Sequence, residues 1–259
     1  MSARPTEGNP LRAFASQIWG SIFRHGMPTT DKVAARTALT NFFLHIHPVR
    51  VKKSAIRVSY TLCLGGLSFF LFILLTISGL FLMFYYIPSV DQAYQNIKDL
   101  QFVATFGLVI RNLHRWAAHG MVIAVWLHMF RVFLTGSYKP PREFNWVVGV
   151  LLLVLTLLLS FTGYLLHWDQ LSIWAVTVGS NMGRATPVLG HEGPGHELIP
   201  GLNNVYDARA LLFGGGEIGP HTLLRFYILH CIFFPLVASL FMAVHFWRIR
   251  RDGFSGPAL

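Results

Sequence analysis

The sequence has little charge and almost no cysteine. Only 12% of its 259 residues are charged, against 53% hydrophobic, whereas soluble domains carry roughly 25% charged residues. A water-soluble globule of ordinary composition is thereby excluded. The two cysteines, Cys63 and Cys231, lie in different apolar segments, so no disulfide framework holds the chain together. No region reads as short alternating strands separated by turns, which argues against a membrane barrel. The chain opens without a charged n-region followed by an apolar h-region, so a cleavable signal peptide is not expected. Neither an internal repeat nor a low-complexity tract is found.

What the sequence has is apolar length. About 20 apolar residues cross a bilayer as a helix, and four segments qualify: 60–86, 112–135, 146–166 and 223–247. The expected fold is an all-α membrane protein, with a four-transmembrane-helix bundle over 59–259 and a basic arm over 1–58. A long connection, 167–222, joins the third and fourth helices.

The formal net charge is +10, but its distribution points to a membrane face and not to nucleic acid. Nine Lys and Arg precede Ser59; Arg131, Lys139 and Arg142 follow the second segment, and Arg248, Arg250 and Arg251 follow the fourth, so one side holds 15 of the 21. The other side holds six, together with seven of the eleven acids. By the positive-inside rule both termini are expected on the negative, cytoplasmic side. The stretch 11–26 sets Leu11, Phe14, Ile18 and Ile22 at helical spacing, with Arg12 and Arg24 outside them. It reads as a helix lying on that surface among the lipids, with a disordered arm as the plain alternative.

Histidines inside apolar helices are costly and are therefore candidates for function. In the fourth segment His230 and His245 are 15 residues apart, which is about 60° in azimuth and ~22 Å along the axis. Pro235 lies between them, and the unwinding it imposes absorbs part of that offset. In the second segment His114 and His128 are 14 apart, about 40° from eclipsed and ~21 Å along the axis. The two helices cross in the same direction, so the pairs can face each other at two depths. Two imidazoles, one from each helix, form the axial set of a low-spin heme that transfers electrons without exchanging ligands. Two such pairs predict two hemes stacked across the membrane. A zinc site needs three or four ligands converging at one point, which residues ~21 Å apart on one helix cannot supply.

Gly65 and Gly79 in the first segment, and Gly149 and Gly163 in the third, are also 14 apart. That interval matches the histidines, so a side-chain-free notch can recur at each heme depth on the helices that supply no ligand. For any single glycine, helix packing is the simpler reading.

The residues that carry a family resemblance are "YTLCLGG" (60–66), "HRW" with "LHMFRVFLTGSYKPPRE" (114–143), "GYLLHWDQLSIWAV" (163–176), "RFYILH" (225–230) and "HFWRIRRDGFSGP" (245–257). In these the chain resembles the cytochrome b of quinol-oxidising Rieske/cytochrome b complexes, and most of all the short, split b-six form. The 15-residue interval in the fourth helix belongs to that form, whereas long mitochondrial-type cytochromes b use 14 in both helices. The resemblance implies a diheme cytochrome b bundle, with His114 and His230 on the heme b near the positive side and His128 and His245 on the heme b near the negative side. It also implies a third heme, a heme c joined by a single thioether to Cys63 beside the quinone-reducing pocket, in the first turn of the first helix. Without the resemblance, Cys63 reads as an inert buried residue. Cys231 has no such counterpart and reads as packing. No CxxCH motif is found.

Arginines near helix ends can pair with heme propionates or snorkel to the interface. The resemblance puts Arg115 and Arg225 near the positive-side heme, and Arg131 and Arg250 near the other. His25, His45 and His47 fall in the arm. His191, His196 and His221 fall in the long connection, where "HEGPGHE" reads as a solvated Gly- and Pro-rich loop. His119 lies about 140° round the helix from His114, off the ligand face. His167 stands where the family usually has proline, beside the helix bordering the quinol-oxidising pocket, where a titratable ring could take a proton.

The chain contains no Rieske Cys-His motif and no Pro-Glu-Trp-Tyr loop. The resemblance therefore implies a Rieske iron-sulfur subunit, a second cytochrome b half like subunit IV, and a c-type cytochrome as subunit or acceptor, in a dimeric complex acting on quinone and quinol. The expected setting is an energy-transducing membrane, the bacterial inner membrane. A diheme membrane anchor of a dehydrogenase or hydrogenase is the runner-up, and a non-redox heme or metal carrier is a reading of a different class.

Overall fold

The computed structural model describes residues 10–22, 29–40, 51–201, 203, 208–214 and 217–255. His25, His45 and His47, and residues 23–26 of the amphipathic stretch, lie outside the described residues. The chain runs through α1 (Pro10–Ile22), α2 (Asp31–Thr40), a 3-10 turn (Lys53–Ile56), α3 (Val58–Thr61), α4 (Leu64–Met83), α5 (Ala93–Phe102) and α6 (Gly107–Leu134). It continues through α7 (Glu143–Leu165), α8 (Gln170–Arg184), α9 (Ala208–Phe213), α10 (Pro220–Ile228), a π turn (Leu229–Phe233) and α11 (Phe234–Asp252). Among the described residues there is no strand. Leu11, Phe14, Ile18 and Trp19 of α1 are all exposed.

Among the described residues, four helices are long and apolar enough to cross a membrane: Leu64–Met83, Gly107–Leu134, Glu143–Leu165 and the continuous run Pro220–Asp252. Their large side chains, Phe70, Phe81, Trp126, Leu157 and Leu240 among them, face outward, because a lipid solvent gives no reason to bury them. The spans pack as two pairs, α4 along α6 and α11 along α7, with α6 also touching α7. The second span begins five residues before the expected 112, and the fourth extends to both sides of 223–247. The first is not one helix from 60 to 86. Leu62 and Cys63 both have left-handed backbones (φ 50° and 51°), which separates α3 from α4.

The fourth span also departs from a regular helix. The Phe234 N–H donates to the Leu229 carbonyl, five residues back, which closes a π turn around His230 just before Pro235. A π turn takes in one extra residue without changing the direction of the helix. It reduces the 15-residue interval to 14 helical steps, the interval of α6. The unwinding expected from Pro235 is thus a defined widening on its N-terminal side.

The connection between α7 and α10 is not an unstructured loop. It holds α8 and α9, and with them a buried core: Leu165, Val176, Phe213 and Phe226 cluster against Phe161 and Ile173. A second cluster joins Tyr86, Ala93 and Leu223. Asp169 caps α8 by accepting from Ser172 N (2.8 Å), while Ser172 Oγ accepts from Asp169 N (3.1 Å). Pro220 opens α10, and the buried Thr222 accepts from Gly219 N (3.1 Å) and donates to the Phe213 carbonyl (2.9 Å), tying α9 to α10. The end of the bundle that carries α5, α8 and α9 is therefore a packed cap. The basic end is tied by polar contacts instead, such as Arg142 Nε to the Gly253 carbonyl (3.2 Å).

The π turn generates a prediction. Deleting Ile232 should convert it to regular α-helix and leave His230 and His245 in phase, whereas deleting Ala124 from the regular α6 rotates His114 against His128 by about 100°. Difference spectra of membranes should show the heme expected between these histidines retained in the first variant and lost in the second; equal loss in both would contradict the account.

Candidate functional site

The two pairs of helices face each other across a slot, and the four expected histidines meet in it. The ring centroids of His114 and His230 are 6.2 Å apart with planes at 74°, and those of His128 and His245 are 6.5 Å apart at 77°. His114 and His230 lie toward the packed cap, His128 and His245 toward the basic end. Imidazoles that share one metal ion at metal–nitrogen distances of about 2 Å bring their centroids to roughly 6 Å. Both pairs fit an ion held between two rings. Among the described residues no group of three or more His, Cys, Asp or Glu could hold a metal, so each centre has only its two imidazoles from this chain.

Each of the four glycines lies against one histidine. A Cβ on Gly65 would stand 3.3 Å from His128 Cε1, and one on Gly79 3.3 Å from His114 Cε1. On the opposite wall a Cβ on Gly149 would be 3.8 Å from His245 Cε1, and one on Gly163 only 2.5 Å from His230 Cε1. The notches thus admit the edges of the imidazoles themselves, α4 receiving the rings of α6 and α7 those of the π turn and α11.

The rings of the cap-side pair are fixed through Nδ1. His114 Nδ1 lies 2.9 Å from Ser78 Oγ, whose own hydrogen is directed to the carbonyls of Leu74 (2.7 Å) and Leu75 (3.2 Å). Ser78 can therefore only accept, and His114 must carry its proton on Nδ1. His230 Nδ1 donates to the Leu159 carbonyl (3.0 Å), with Thr162 Oγ1 at 3.4 Å. In both rings the Nε2 lone pair is left free, as metal ligation needs. The Nδ1 of His245 is buried with no hydrogen bond in good geometry, the Asn145 backbone being the polar group beside it. Ser78 and Thr162 were not singled out in the sequence. The available signal was a hydroxyl residue immediately before a glycine of the 14-residue interval.

Cys63 is exposed and immediately precedes α4 with its left-handed backbone, its N–H donating to Thr61 Oγ1 (3.2 Å). It is thus the N-cap and not a first-turn residue. Two residues on, Gly65 touches His128, so Cys63 and the basic-end pair share a depth. Arg131, one turn beyond His128, reaches the same place. Its Nε donates to the Tyr60 carbonyl (3.2 Å), and its guanidinium lies 4.3 Å from the centre of the Tyr60 ring. Burial alone would raise the Tyr60 phenol, but hydrogen bonds with Ser255, Ser137 and Thr135 and the Arg131 charge outweigh it and leave its pKa lowered. An open pocket of about 490 Å³ adjoins these hydroxyls, lined also by Lys52, Arg142 and Asp252.

The other arginines are spread more widely. Arg115 is exposed and lies over Trp116 (5.7 Å), and Arg225 packs against Gly214 after α9. Arg250 is half-buried near the basic end. Arg111, one turn before His114 and absent from the expected set, has a buried Nε with no hydrogen-bond partner. An orphaned guanidinium nitrogen beside a histidine pair suits an anionic group that the chain itself does not provide. His119 is exposed, donates from Nδ1 to the Arg115 carbonyl (2.7 Å) and stays off the slot. His191 is tied to Arg184 (2.8 Å) and His196 to the Gly193 carbonyl (3.1 Å) within the connection. His221 is exposed at the start of α10. Cys231 is half-buried in the π turn. His167 donates to the Tyr164 carbonyl (3.2 Å) just before an open pocket of about 560 Å³ lined by Tyr94, Trp168, Asp169, Gln170, Leu171 and Trp174.

Residues 49–253 match the family described as cytochrome b/b6/petB. The chain is 42% identical over 201 residues to a cytochrome b6 of Gracilaria tenuistipitata var. liui, covering 78% of this chain and 86% of that one. It is 41% identical over 202 residues to a cytochrome b6 of Synechococcus sp. (strain JA-3-3Ab), with the same coverage. A solved chain titled "Hyperthermophilic respiratory Complex III" superposes with a TM-score of 0.69 at 28% identity; it is matched over 80% of this chain, which spans about half (51%) of that longer one.

The glycine distances predict a graded series. Gly163→Ala forces a methyl into the His230 ring, an overpacking cost of about 1–3 kcal/mol, and should remove the heme expected at the cap-side pair. Gly149→Ala meets only ordinary contact and should be silent. Difference spectra check this, and a more damaging Gly149→Ala would contradict it.

Proposed function

Because the chain belongs to the cytochrome b/b6 family, we propose that it is the N-terminal, b-six-type cytochrome b subunit of a quinol oxidoreductase whose acceptor is a cytochrome c or a plastocyanin-like protein. The observation that carries this reading is the meeting of four histidines as two facing pairs at two depths. His114 and His230 would hold one heme b, and His128 and His245 the other. Heme gripped by two imidazoles supplies one-electron transfer without ligand exchange. The chain's own part is to set the ring orientations through the glycine contacts and the Nδ1 hydrogen bonds. Its apolar spans keep water from the slot, and Arg111 offers a cation to the carboxylates of the group near His114. Arg115, Arg131, Arg225 and Arg250 are further candidates for that role.

Quinol would be oxidised at the cap end, where the aromatic-lined pocket at the start of α8 opens, and quinone reduced at the basic end. The charge of the basic end supports a position on the negative side of the membrane. Electrons would cross the membrane between the two, with protons released at one face and taken up at the other. At the basic end we assign Cys63 a single thioether to a heme c. Three features support it: the side chain is exposed, its depth is that of the His128 pair, and its strained backbone is of the kind that marks functional positions. The partners implied are a Rieske iron-sulfur subunit, a second cytochrome b half and a c-type cytochrome, in an energy-transducing membrane such as the bacterial inner membrane. The runner-up, a diheme anchor of a dehydrogenase or hydrogenase, gives no role to Cys63 or to the α8 pocket.

Two outcomes follow. Replacing His114 or His230 by leucine should remove one b heme in a redox titration, and replacing His128 or His245 the other; loss of both from every single change in folded protein would contradict the pairing. After acid-acetone extraction the polypeptide should retain one covalent heme, seen as a mass adduct and abolished by Cys63→Ser. A native chain without that adduct removes the heme c and leaves the two b hemes standing.

A further inference from the structure

The cap-side pair is held from both walls by the same two-residue device. Ser78 precedes Gly79 on α4, and Thr162 precedes Gly163 on α7. The glycine lets the imidazole lie against the helix, and the preceding hydroxyl then comes to the ring's Nδ1, at 2.9 Å for Ser78 on His114 and 3.4 Å for Thr162 on His230. Both hydroxyls are turned into acceptors by their own helix, since Ser78 Oγ donates to the Leu74 carbonyl (2.7 Å) and Thr162 Oγ1 to the Leu158 carbonyl (2.8 Å). At the other depth the residues before the glycines are Leu64 and Val148, which have no acceptor to offer. The buried His245 Nδ1 has the Asn145 backbone beside it and no hydroxyl.

We propose that Ser78 and Thr162 are positioning residues that act through His114 and His230 to hold down the midpoint potential of the metal centre between those two rings, with no side-chain counterpart at the His128–His245 centre. The inference rests on the heme reading above. An imidazole that donates Nδ1–H to an oxygen is a more basic ligand at Nε2. A more electron-rich ligand favours the oxidised over the reduced iron, so second-shell hydrogen bonding is a lever on potential. The Leu159 carbonyl, 3.0 Å from His230 Nδ1, would remain after loss of the Thr162 hydroxyl. His114 likewise keeps the Leu75 backbone beside it after loss of the Ser78 hydroxyl, but Ser78 Oγ stands closer to its ring (2.9 Å) than Thr162 Oγ1 does to His230 (3.4 Å). The two substitutions are therefore unequal.

The test is a redox titration of both b hemes in the intact complex. Ser78→Ala should raise the potential of the heme on His114 and His230, and Thr162→Val should raise it less. The other heme should stay where it was, and the low-spin bis-imidazole spectrum should be kept. Ser78→Thr, which restores the hydroxyl, should return the wild-type value. Val148→Thr, nearly isosteric, sets a hydroxyl before Gly149 beside His245 and should lower the other heme's potential. Unchanged potentials in Ser78→Ala and Thr162→Val, with both hemes bound, would overturn the proposal. So would loss of heme from Ser78→Ala with no shift in the fraction retained, since the hydroxyl would then serve packing alone. A wild-type complex without two bis-imidazole hemes refutes the functional reading itself, a result distinct from wild-type hemes that the variants fail to move.

Discussion

Everything in this molecule depends on keeping two imidazoles face to edge about one metal-ion's width apart, twice, in helices that gain nothing by burying apolar surface. In water the hydrophobic effect would close the gap between α6 and α11. In lipid that force is missing, and helices associate through close packing and hydrogen bonds. The slot is accordingly set by its outer walls. Gly65 and Gly79 fix how deeply the α6 rings enter α4, and Gly149 and Gly163 do the same for the rings of the fourth span on α7. A side chain at Gly163 would displace a ring outright, one at Gly65 or Gly79 would press on it, and one at Gly149 would only touch it.

The two ends of the bundle hold this geometry by different means. At the cap, water-exposed segments return and a hydrophobic core becomes possible again, which is where Leu165, Val176, Phe213 and Phe226 are buried. That core grips the ends of α7 and α10 a short distance from His230. The basic end has hydroxyl and guanidinium contacts instead, such as Ser137 Oγ to Ser255 Oγ (2.7 Å) and the Arg248–Asp252 ion pair (2.9 Å). A packed cap and a polar, open base fit a chain whose two ends meet different aqueous phases.

Much of this was legible in the sequence, because the strongest constraints leave periodic marks. Four long apolar runs give four spans, and an interval of 14 in glycines and histidines gives two depths. What escaped was whatever depends on a single turn of backbone. The 15-residue interval in the fourth span contains an extra residue, but nothing in "HCIFFP" says whether a kink or a π turn absorbs it. The left-handed pair Leu62–Cys63 is likewise invisible, since neither residue favours that conformation. The connection 167–222 reads as a loop from its Gly and Pro, yet its apolar residues pack into a core through contacts far apart in sequence. Ser78 and Thr162 were overlooked because a hydroxyl in an apolar helix ordinarily bonds its own backbone. These do so as well, and that is what makes them acceptors for the histidines. Arg111 was missed because its meaning lies in a missing partner, which only coordinates reveal.

The central claim is that this one polypeptide grips two metal centres, each between a pair of imidazoles. Near-infrared magnetic circular dichroism of the oxidised native complex tests it directly, because the low-energy charge-transfer band of a low-spin ferric heme reports its axial ligands. The account predicts bis-imidazole bands whose intensity corresponds to two hemes per copy of this chain. One such heme per chain, or none, would contradict it.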